Sequence, residues 1–302
     1  MHAKVVVVGS LNMDLVARAE RLPRAGETLT GDGFFTVPGG KGANQAVAVA
    51  RLGASVAMIG NVGDDAYGPQ LIQALQVEGV DCQAVASCAG VSSGVALIVV
   101  DAASQNAIVV IPGANGLLSA ESVQRADSLL QAADIVICQL EVPQATVAWT
   151  LVRARELGKT VILNPAPATG PLPADWFTNI DYLAPNESEA QALTGIAVSD
   201  QDSARRAAEQ LLAFGVGKVI MTLGSEGALV VSAQGCQHYP ATPVKALDTT
   251  AAGDTFIGGF AAGLARGLSE AEAITLGQRA AAISVTRAGA QPSIPYLAEL
   301  QP

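Results

Sequence analysis

The sequence contains little histidine, few aromatic residues and no long apolar run. Only His2 and His238 are present, so neither a histidine-rich metal site nor Ser-His-Asp catalysis is expected. Aromatic residues make up 4% of the 302 residues, and 17 Lys and Arg stand against 27 Asp and Glu. Nucleic-acid partners need a basic face and usually stacking rings, so none is expected. No apolar run reaches the length of a membrane span, so no membrane partner is expected either.

The cysteines and the N-terminus also lack recognisable signals. None of the four cysteines forms a CxxC pair: they are Cys82, Cys88, Cys138 and Cys236. We interpret them as small core residues and not as disulfides or metal ligands. The first apolar run stops at Gly9 after four valines, which is not typical of a secretion signal. These features predict a cytoplasmic enzyme.

Both common phosphate-binding motifs are missing. In FTVPGGKGAN, Lys41 follows Gly40, but Gly42 occupies the position where a P-loop needs Ser or Thr. Gly31 and Gly33 are followed by Phe-Phe-Thr, which does not continue as GxGxxG. Any nucleotide site in this chain must therefore be built in another way.

Short β-branched runs alternate with helical patterns along most of the chain. The runs KVVVV, SVAMIG, DIVICQL, KTVILNP and KVIMTLG are continuously apolar, as in parallel strands covered on both faces. The segments between them carry apolar residues at three- and four-residue spacing and end at a glycine. This alternation predicts an α/β fold with a doubly wound, mainly parallel sheet flanked by helices.

Two stretches depart from this alternation. Residues 15–37 and 93–112 are typical of strands joined by polar turns, and the second resembles a hairpin with its turn at Asp101 to Asn106. We predict that they form a small β-sheet inserted into the main domain, which acts as a lid. The alternative is a pair of extensions at the edges of the large sheet.

The segment TTAAGDTFIGGFAAGLARG predicts a helix of small apolar residues from about Ala252 to Gly267. The free amides of its first turn form an anion site that needs no lysine. Asp254 would repel an anion there, unless it faces a hydroxyl that attacks a phosphate and takes its proton. The alternative is that Asp254 only stabilises the helix N-terminus.

Other polar stretches each allow two interpretations. Asn12 and Asp14 follow the first strand, where they could bind hydroxyl groups or form an ordinary turn. PGGKGANQA is either a ligand loop or a strand-to-helix connection with Asn44 near the cap. PNESEA, which contains Glu189, suits water-wrapped Mg²⁺ or a capped helix start. TLGSEG is a nucleotide loop or a hairpin turn.

Taken together, these stretches resemble the ribokinase family of carbohydrate kinases. GSLNMD, GGKGANQAVAVARLG, GDDAYG, PNESEA, TLGSEG, DTTAAGDTF and VTRAGAQPSIP occur in the family's order over nearly the whole chain. The resemblance implies one α/β domain over residues 1–302, with a lid that is often a homodimer contact. It also implies ATP-dependent phosphorylation of D-ribose at O5, with ATP, Mg²⁺ and K⁺.

The resemblance assigns roles to individual residues. Asp254 is the general base and contacts the sugar, and the anion hole consists of Ala251, Ala252 and Gly253, although Gly is commoner than Ala at 251. The other sugar-binding residues are Asn12, Asp14, Gly40, Lys41, Gly42, Ala43, Asn44 and Glu141. The ATP-binding residues are Asn186, Thr222, Leu223, Gly224, Ser225, Glu226, Gly227, Gly253 and Gln278. Glu189 is linked indirectly to Mg²⁺. The residues around the monovalent cation are Asp248, Thr250, Ser284, Arg287, Gly289 and Ser293.

Other functions stay open at this point. The same chemistry could act on deoxyribose, fructose, a sugar acid or a nucleoside. A non-catalytic sugar-binding protein is a third hypothesis, but it has no use for a base aimed at a hydroxyl. A nicotinamide oxidoreductase is more distant, because GxGxxG is missing.

Overall fold

The computed structural model describes residues 4–103, 105–168 and 170–300. Its strands are β1 (Val5–Val8), β2 (Asn12–Arg18), β3 (Gly33–Gly39), β4 (Val56–Gly63), β5 (Asp81–Cys88), β6 (Gly94–Val100), β7 (Asn106–Ile111), β8 (Ile135–Cys138), β9 (Thr160–Leu163), β10 (Tyr182–Leu183), β11 (Lys218–Thr222), β12 (Ala228–Ser232) and β13 (Gly235–Tyr239). Its α-helices are α1 (Lys41–Arg51), α2 (Tyr67–Val77), α3 (Ala120–Arg125), α4 (Asp127–Ala132), α5 (Gln144–Glu156), α6 (Glu187–Thr194), α7 (Gln201–Ala213), α8 (Ala252–Ala265) and α9 (Glu270–Ser284).

The large sheet has nine strands in the order β13-β12-β11-β10-β9-β8-β1-β4-β5. From β11 to β5 all neighbours are parallel, and only β12 and β13 at one edge run antiparallel. The central strand β1 shows why the apolar runs form such a sheet. Its valines are fully buried, and alternate ones face opposite layers: Val6 and Val8 join one apolar core, and Val5 and Val7 join the other. The predicted doubly wound, mainly parallel sheet is confirmed.

The two irregular stretches form a separate four-stranded sheet, in the order β3-β2-β6-β7. The prediction of a small second sheet is confirmed, and the alternative of edge extensions is wrong. The pairing extends beyond 15–37, because Asn12 lies opposite Gly39 in the β2–β3 register. The predicted turn lies between β6 and β7, where Asp101 Oδ1 accepts the amides of Ala103 and Gln105; position 104 lies outside the described residues.

The carboxyl ends of the parallel strands meet at one edge of the large sheet. Residues that follow β1, β8, β9, β10 and β11 therefore lie near one another, next to the N-terminal ends of α1 and α8. The small sheet starts at the same place, because β2 begins three residues after Gly9. Among the described helices, none is both long and apolar enough to cross a membrane.

Candidate active site

Asp254 lies in the first turn of α8 and is buried. Each of its two carboxylate oxygens accepts one hydrogen bond from a side-chain amide of α1. Asn44 Nδ2 donates to Oδ2 over 3.0 Å, and Gln45 Nε2 donates to Oδ1 over 2.9 Å. The carboxylate is therefore held in one orientation between two helices that are about 200 residues apart in the sequence.

Small residues in α8 make this contact with α1 possible. A Cβ atom at Gly258 would lie 2.4 Å from Ala48 Cβ and 2.8 Å from the carbonyl oxygen of Gln45. Gly259 allows the same close approach on the α9 side, where a Cβ would lie 2.8 Å from Gly277 Cα. The glycines of GDTFIGGF therefore bring the helices close enough for Asp254 to contact the side chains of α1.

The turn before α8 is strained at Ala251. This residue is the N-cap and adopts the left-handed conformation, with φ 59° and ψ 13°. A non-glycine residue there costs about 1–2 kcal/mol. The strain explains why Gly is favoured at 251. Around the predicted anion hole, the Ala252 amide donates to the carbonyl of Thr249 over 3.2 Å, and Thr255 Oγ1 donates to the carbonyl of Ala251 over 2.8 Å.

A second carboxylate, Glu141, organises the predicted sugar side. Its Oε2 atom accepts the hydroxyl of Ser10 over 2.6 Å and the backbone amide of Lys41 over 3.1 Å. Asn12 Nδ2 donates to the same oxygen over 3.5 Å. Asn115 holds the other end of the Asn12 amide, because its Nδ2 donates to Asn12 Oδ1 over 2.7 Å. These contacts fix the side chains that follow β1 in one arrangement.

The glycines of PGGKGAN are explained by close approach of this loop to the end of β1. A Cβ at Gly39 would lie 2.4 Å from Asp14 Oδ2, and one at Gly42 would lie 2.6 Å from the Ser10 amide nitrogen. Gly40 has φ 89°, and a Cβ there would lie 2.7 Å from the backbone nitrogen of Asn12. The loop therefore lies directly against the polar residues that it is predicted to assist.

The site concentrates negative charge. Burial, followed by the carboxylates of Glu141 and Asp254, raises the pKa of Asp14 from 3.8 to about 7. Burial also raises the pKa of the Glu189 carboxyl.

The Lys41 ammonium lies among these carboxylates. Burial alone would lower its pKa, but the carboxylates of Asp254, Glu141 and Glu189 together outweigh burial and shift the pKa of Lys41 upward. Lys41 therefore supplies one positive charge to a site that is rich in carboxylates.

The predicted ATP residues lie farther along the same sheet edge. Asn186 caps α6 in a capping box with Glu189, and it also forms a parallel bridge with Thr222. The segment from Gly224 to Gly227 is a tight turn of the β11–β12 hairpin, so TLGSEG is a hairpin turn whatever else it binds. Its residues from 224 to 226 are exposed, and Gly227 is buried.

Gln278 is far from this turn in the sequence. It contacts β13, the strand that pairs with β12 of the hairpin. Its Nε2 atom donates to the carbonyl of Tyr239, the last residue of β13, over 2.7 Å. Position 278 is half-buried on α9. The structure therefore places Gln278 beside the hairpin that contains the predicted nucleotide turn.

The predicted cation residues belong to two loops that already contact each other. Asp248 Oδ1 accepts the amide and the hydroxyl of Thr250, over 2.9 and 2.6 Å, and Asp248 Oδ2 accepts the amide of Gly289 over 2.8 Å. Burial opposes the charge on Asp248, but these hydrogen bonds outweigh it and hold the pKa of Asp248 below its usual value. The two loops are thus joined through one ionised carboxylate.

The remaining cation residues divide between this junction and the surface. The hydroxyls of Ser284 and Ser293 are buried and donate to the carbonyls of Ala281 and Ala290. The Arg287 side chain instead forms an ion pair with Glu299, so only its backbone is available at the junction. Within the described ranges, no group of three His, Cys, Asp or Glu side chains could hold a metal ion.

Sequence reasoning missed several buried amides of the site. Gln45, Gln139 and Asn164 form hydrogen bonds behind Asp254, and Asn115 orients Asn12. Gln45 could have been noticed, because it stands beside Asn44 within GGKGANQA. The other three amides carry no local signal, since their roles depend on contacts between distant segments.

Comparisons with known proteins find similar sequences that cover nearly the whole chain. The family model described as pfkB family carbohydrate kinase matches residues 2–297. A ribokinase of Schizosaccharomyces pombe is 44% identical, over 98% of this chain and 96% of its own. A deoxyribokinase of Salmonella typhi is 39% identical, over 97% and 96% of the two chains.

Solved structures agree with this relationship. A ribokinase of Thermotoga maritima superposes with a TM-score of 0.91 at 39% identity, covering 99% of this chain and 98% of its own. A ribokinase of Arabidopsis thaliana complexed with ribose and ATP has a TM-score of 0.91 at 32% identity, with the same coverage. The arrangement of strands, the polar residues at the sheet edge and these similarities lead to one conclusion: the chain belongs to the pfkB family of carbohydrate kinases.

Proposed function

We propose that this protein transfers the γ-phosphoryl group of ATP to O5 of D-ribose and so produces ribose 5-phosphate. The observation that carries the proposal is the buried Asp254 carboxylate in the first turn of α8. Two side-chain amides of α1 hold it, and the polar residues that follow β1 lie next to it. The ribokinases to which this chain is similar, one of them in complex with ribose and ATP, support the choice of substrates.

Asp254 is the general base in this proposal. As the γ-phosphoryl group moves in a loose transition state, the bond between O5 and the phosphorus forms and the bond to ADP breaks. The proton of the 5-hydroxyl passes to the Asp254 carboxylate. The amides of Ala251 and Gly253 at the α8 N-terminus stabilise the negative charge on the transferred group, and the Ala252 amide does so once it leaves the Thr249 carbonyl.

The side chains that follow β1 hold the sugar. Asp14 accepts hydrogen bonds from hydroxyl groups, and Asn12 and Glu141 are fixed beside it. Among the described residues, Asn44 Oδ1 is buried and has no hydrogen-bond partner, although its amide nitrogen is bound to Asp254. A sugar hydroxyl would satisfy this oxygen, which is the pattern expected of a residue that binds a ligand.

ATP and its metal ion bind beside the TLGSEG turn. The backbone of residues 222–227, with Asn186 and Gln278 nearby, holds the nucleotide. A Mg²⁺ ion bound with ATP would lie beside the nucleotide phosphates and offset their charge, and Glu189 would act on it indirectly. Lys41 supplies positive charge near the transferred group.

A monovalent cation completes the site in our proposal. The junction of the two loops offers one carboxylate, Asp248, together with hydroxyl and carbonyl oxygens, and this donor set suits a large, weakly hydrated cation such as K⁺. A bound cation would fix the turn at Ala251 and so hold the amides of the anion hole. Titrating K⁺ against Na⁺ at constant ionic strength should raise activity saturably, and Asp248→Ala should abolish most of the response; an enzyme indifferent to K⁺ contradicts the site.

The small sheet acts as the lid of a single domain and pairs with a second copy of the chain. One face of this sheet exposes large apolar side chains, including Phe34, Leu97 and Val109, of which Leu97 and Val109 lie opposite each other in the β6–β7 register. Sedimentation should show a dimer, and the double variant Leu97→Lys, Val109→Lys should be a monomer. A monomeric wild-type protein contradicts this assembly. The cytoplasmic location stays a prediction.

A panel of pentoses and hexoses with ATP, followed by ADP release, tests the proposed activity. D-ribose should give the highest kcat/KM, and Asp254→Asn should remove the sugar-dependent rate. 2-Deoxyribose is the main alternative, because one relative is a deoxyribokinase. A higher kcat/KM for 2-deoxyribose than for ribose would assign the alternative substrate, and no sugar-dependent ADP release would refute the kinase activity itself.

A further inference from the structure

Three buried amide side chains form a chain of hydrogen bonds behind Asp254. Gln139 Nε2 donates to Gln45 Oε1 over 2.6 Å, and Gln45 Nε2 donates to Asp254 Oδ1 over 2.9 Å. The same Gln45 nitrogen donates to Asn164 Oδ1 over 3.2 Å, and Asn164 Nδ2 donates to the carbonyl of Ala184 over 3.1 Å. We refer to Gln139, Gln45 and Asn164 as the buried amide chain.

The buried amide chain leaves Gln45 only one satisfactory orientation. If its amide were rotated by half a turn, Oε1 would face the acceptors on Asp254 and Asn164, and Nε2 would face the donor on Gln139. Asn164 is itself fixed by its bond to the Ala184 carbonyl. The ends of β8, β9 and β10 thus determine which group Gln45 presents to Asp254.

Gln45 differs in this respect from its neighbour Asn44, which contacts the same carboxylate. Within the part of the chain that the structure describes, Asn44 Oδ1 has no partner and is available to a ligand, whereas the amide oxygen and nitrogen of Gln45 are both bonded within the protein. The Gln45 side chain is also completely buried, with 0% exposure. Any influence of Gln45 on the reaction must therefore act through Asp254 and not through contact with a substrate.

We propose that Gln45 is a positioning residue that keeps the Asp254 carboxylate aimed at the attacking hydroxyl. Its N–H group donates to one carboxylate oxygen and so fixes the rotation of the carboxylate. Gln45 gains and loses no proton; the proton of the hydroxyl still passes to Asp254. The inference rests on the proposed function, in which Asp254 is the base.

The variant Gln45→Met tests this role, because Met has a similar volume but no N–H donor. We expect kcat to fall roughly 10- to 100-fold, as for a misplaced catalytic group, while KM for ribose and for ATP changes less than about threefold. With kcat expressed per folded molecule, a fall in kcat without a comparable rise in either KM indicates a misaligned Asp254, because both substrates still bind. Thr150→Val is the matched control, since it removes a buried hydrogen bond within α5, and it should leave kcat and both KM values unchanged.

Gln139→Met tests the same chain without a change beside Asp254. Gln45 then loses one of the partners that fix its orientation but keeps the acceptors on Asp254 and Asn164, so kcat should fall less than in Gln45→Met, again with little change in KM. Should Gln45→Met fail to fold, the kcat of Gln139→Met decides. A kcat within about twofold of the wild type in the folded variants overturns the proposal. Asp254→Asn, measured in parallel, separates the two hypotheses. If Asp254→Asn stays active, Asp254 is not the base and the proposed function fails. If Asp254→Asn is inactive but both glutamine variants keep normal kcat, only the proposed role of Gln45 fails.

Discussion

The proposed sugar side and the proposed nucleotide side of the candidate site are built in different ways. On the proposed sugar side, Asn12 donates to the half-buried Glu141, and Asn44 donates to the buried Asp254, so side chains hold one another in place. On the proposed nucleotide side, the hairpin turn from Gly224 to Gly227 is closed by its own backbone, and its side chains up to Glu226 are exposed. We therefore propose recognition by side chains on one side and by backbone on the other.

This difference matches the chemistry of the two proposed ligands. A sugar is a set of hydroxyl groups at fixed angles, and oriented carboxylates and amides can distinguish these groups. A wrong sugar leaves such buried groups unpaired, which makes discrimination strong. Adenine and phosphates can be held by a backbone turn and by helix amides, which do not depend on side-chain identity. We therefore expect substitutions to affect the two sides independently, except at Asp254.

Asp254→Asn should cause the largest loss, because Asp254 lies where the two sides meet. The amide cannot take the proton of the hydroxyl, so kcat should fall roughly 10²- to 10⁴-fold. Folding and ATP binding should be retained, because Asn has the same shape. Steady-state kinetics and calorimetric ATP binding measure the two quantities, and near-normal turnover would remove Asp254 from the mechanism.

Asp14→Ala should affect the sugar side alone. At pH 8, above the pKa of about 7, the Asp14 carboxylate is charged, and loss of its hydrogen bonds should weaken ribose binding by roughly 1.5–3 kcal/mol. ATP affinity measured without sugar should be unchanged. Calorimetric titration with each ligand tests this, and equal losses for both ligands would show a folding defect and contradict the separation of the two sides.

Gly227→Ala and Ser225→Ala form a matched pair on the nucleotide side. Gly227 has φ 99°, and a Cβ there would lie 2.1 Å from the carbonyl oxygen of Tyr239. Because the turn must distort, KM for ATP should rise about fivefold or more while KM for ribose stays constant. Ser225→Ala leaves the backbone unchanged and should have almost no effect. If Ser225→Ala were the more damaging variant, recognition by backbone would be wrong.

The last expected effect concerns stability, not activity. The pKa of Asp14 is about 7 in the folded protein and 3.8 in a free side chain, so the folded state binds an extra proton between these values. The stability that this proton provides is fully present below the lower pKa and is lost as the pH rises through 7. Asp14→Asn has no such proton to lose. Relative to the wild type, its free energy of unfolding should therefore increase between pH 5 and pH 8 by about 2–3 kcal/mol, at about 1.4 kcal/mol for each pH unit up to 7.

Urea unfolding of both proteins at the two pH values measures this difference, and the other titrating groups largely cancel because they are common to both. A difference that is constant between pH 5 and pH 8 would show that Asp14 is ionised throughout. The measurement thus shows how strongly the proposed sugar side concentrates negative charge.

Much of the fold could be predicted from the sequence because its signals are local. The valines of β1 indicate a strand buried on both faces, and the small sheet follows from two stretches that lack helical periodicity. The position of Asp254 in the first turn of α8 follows from the small residues after it. These patterns depend on the period of the backbone and on burial, and both can be recognised from the spacing of apolar residues along a short stretch of sequence.

The interior of the site could not be predicted in the same way. Gln45 has the ordinary look of a polar helix residue, and its contact with Asp254 joins positions 209 residues apart. Gln139 and Asn164 matter only because β8 and β9 end side by side. The left-handed conformation of Ala251 was also not visible, since alanine does not usually mark such a backbone. These features depend on tertiary contacts, which no short stretch encodes.

The position of the new phosphate on the sugar is the most direct test that this protein transfers a phosphoryl group to O5 with Asp254 as the base. The purified protein is incubated with D-ribose, ATP and Mg²⁺, and the product is examined by ³¹P NMR through the coupling of phosphorus to the carbon-bound protons of the sugar. We expect coupling to the two protons on C5, which identifies ribose 5-phosphate, and at least about 100-fold slower formation of this product with Asp254→Asn. Phosphate on the anomeric carbon, or ADP release without a phosphorylated sugar, would contradict it.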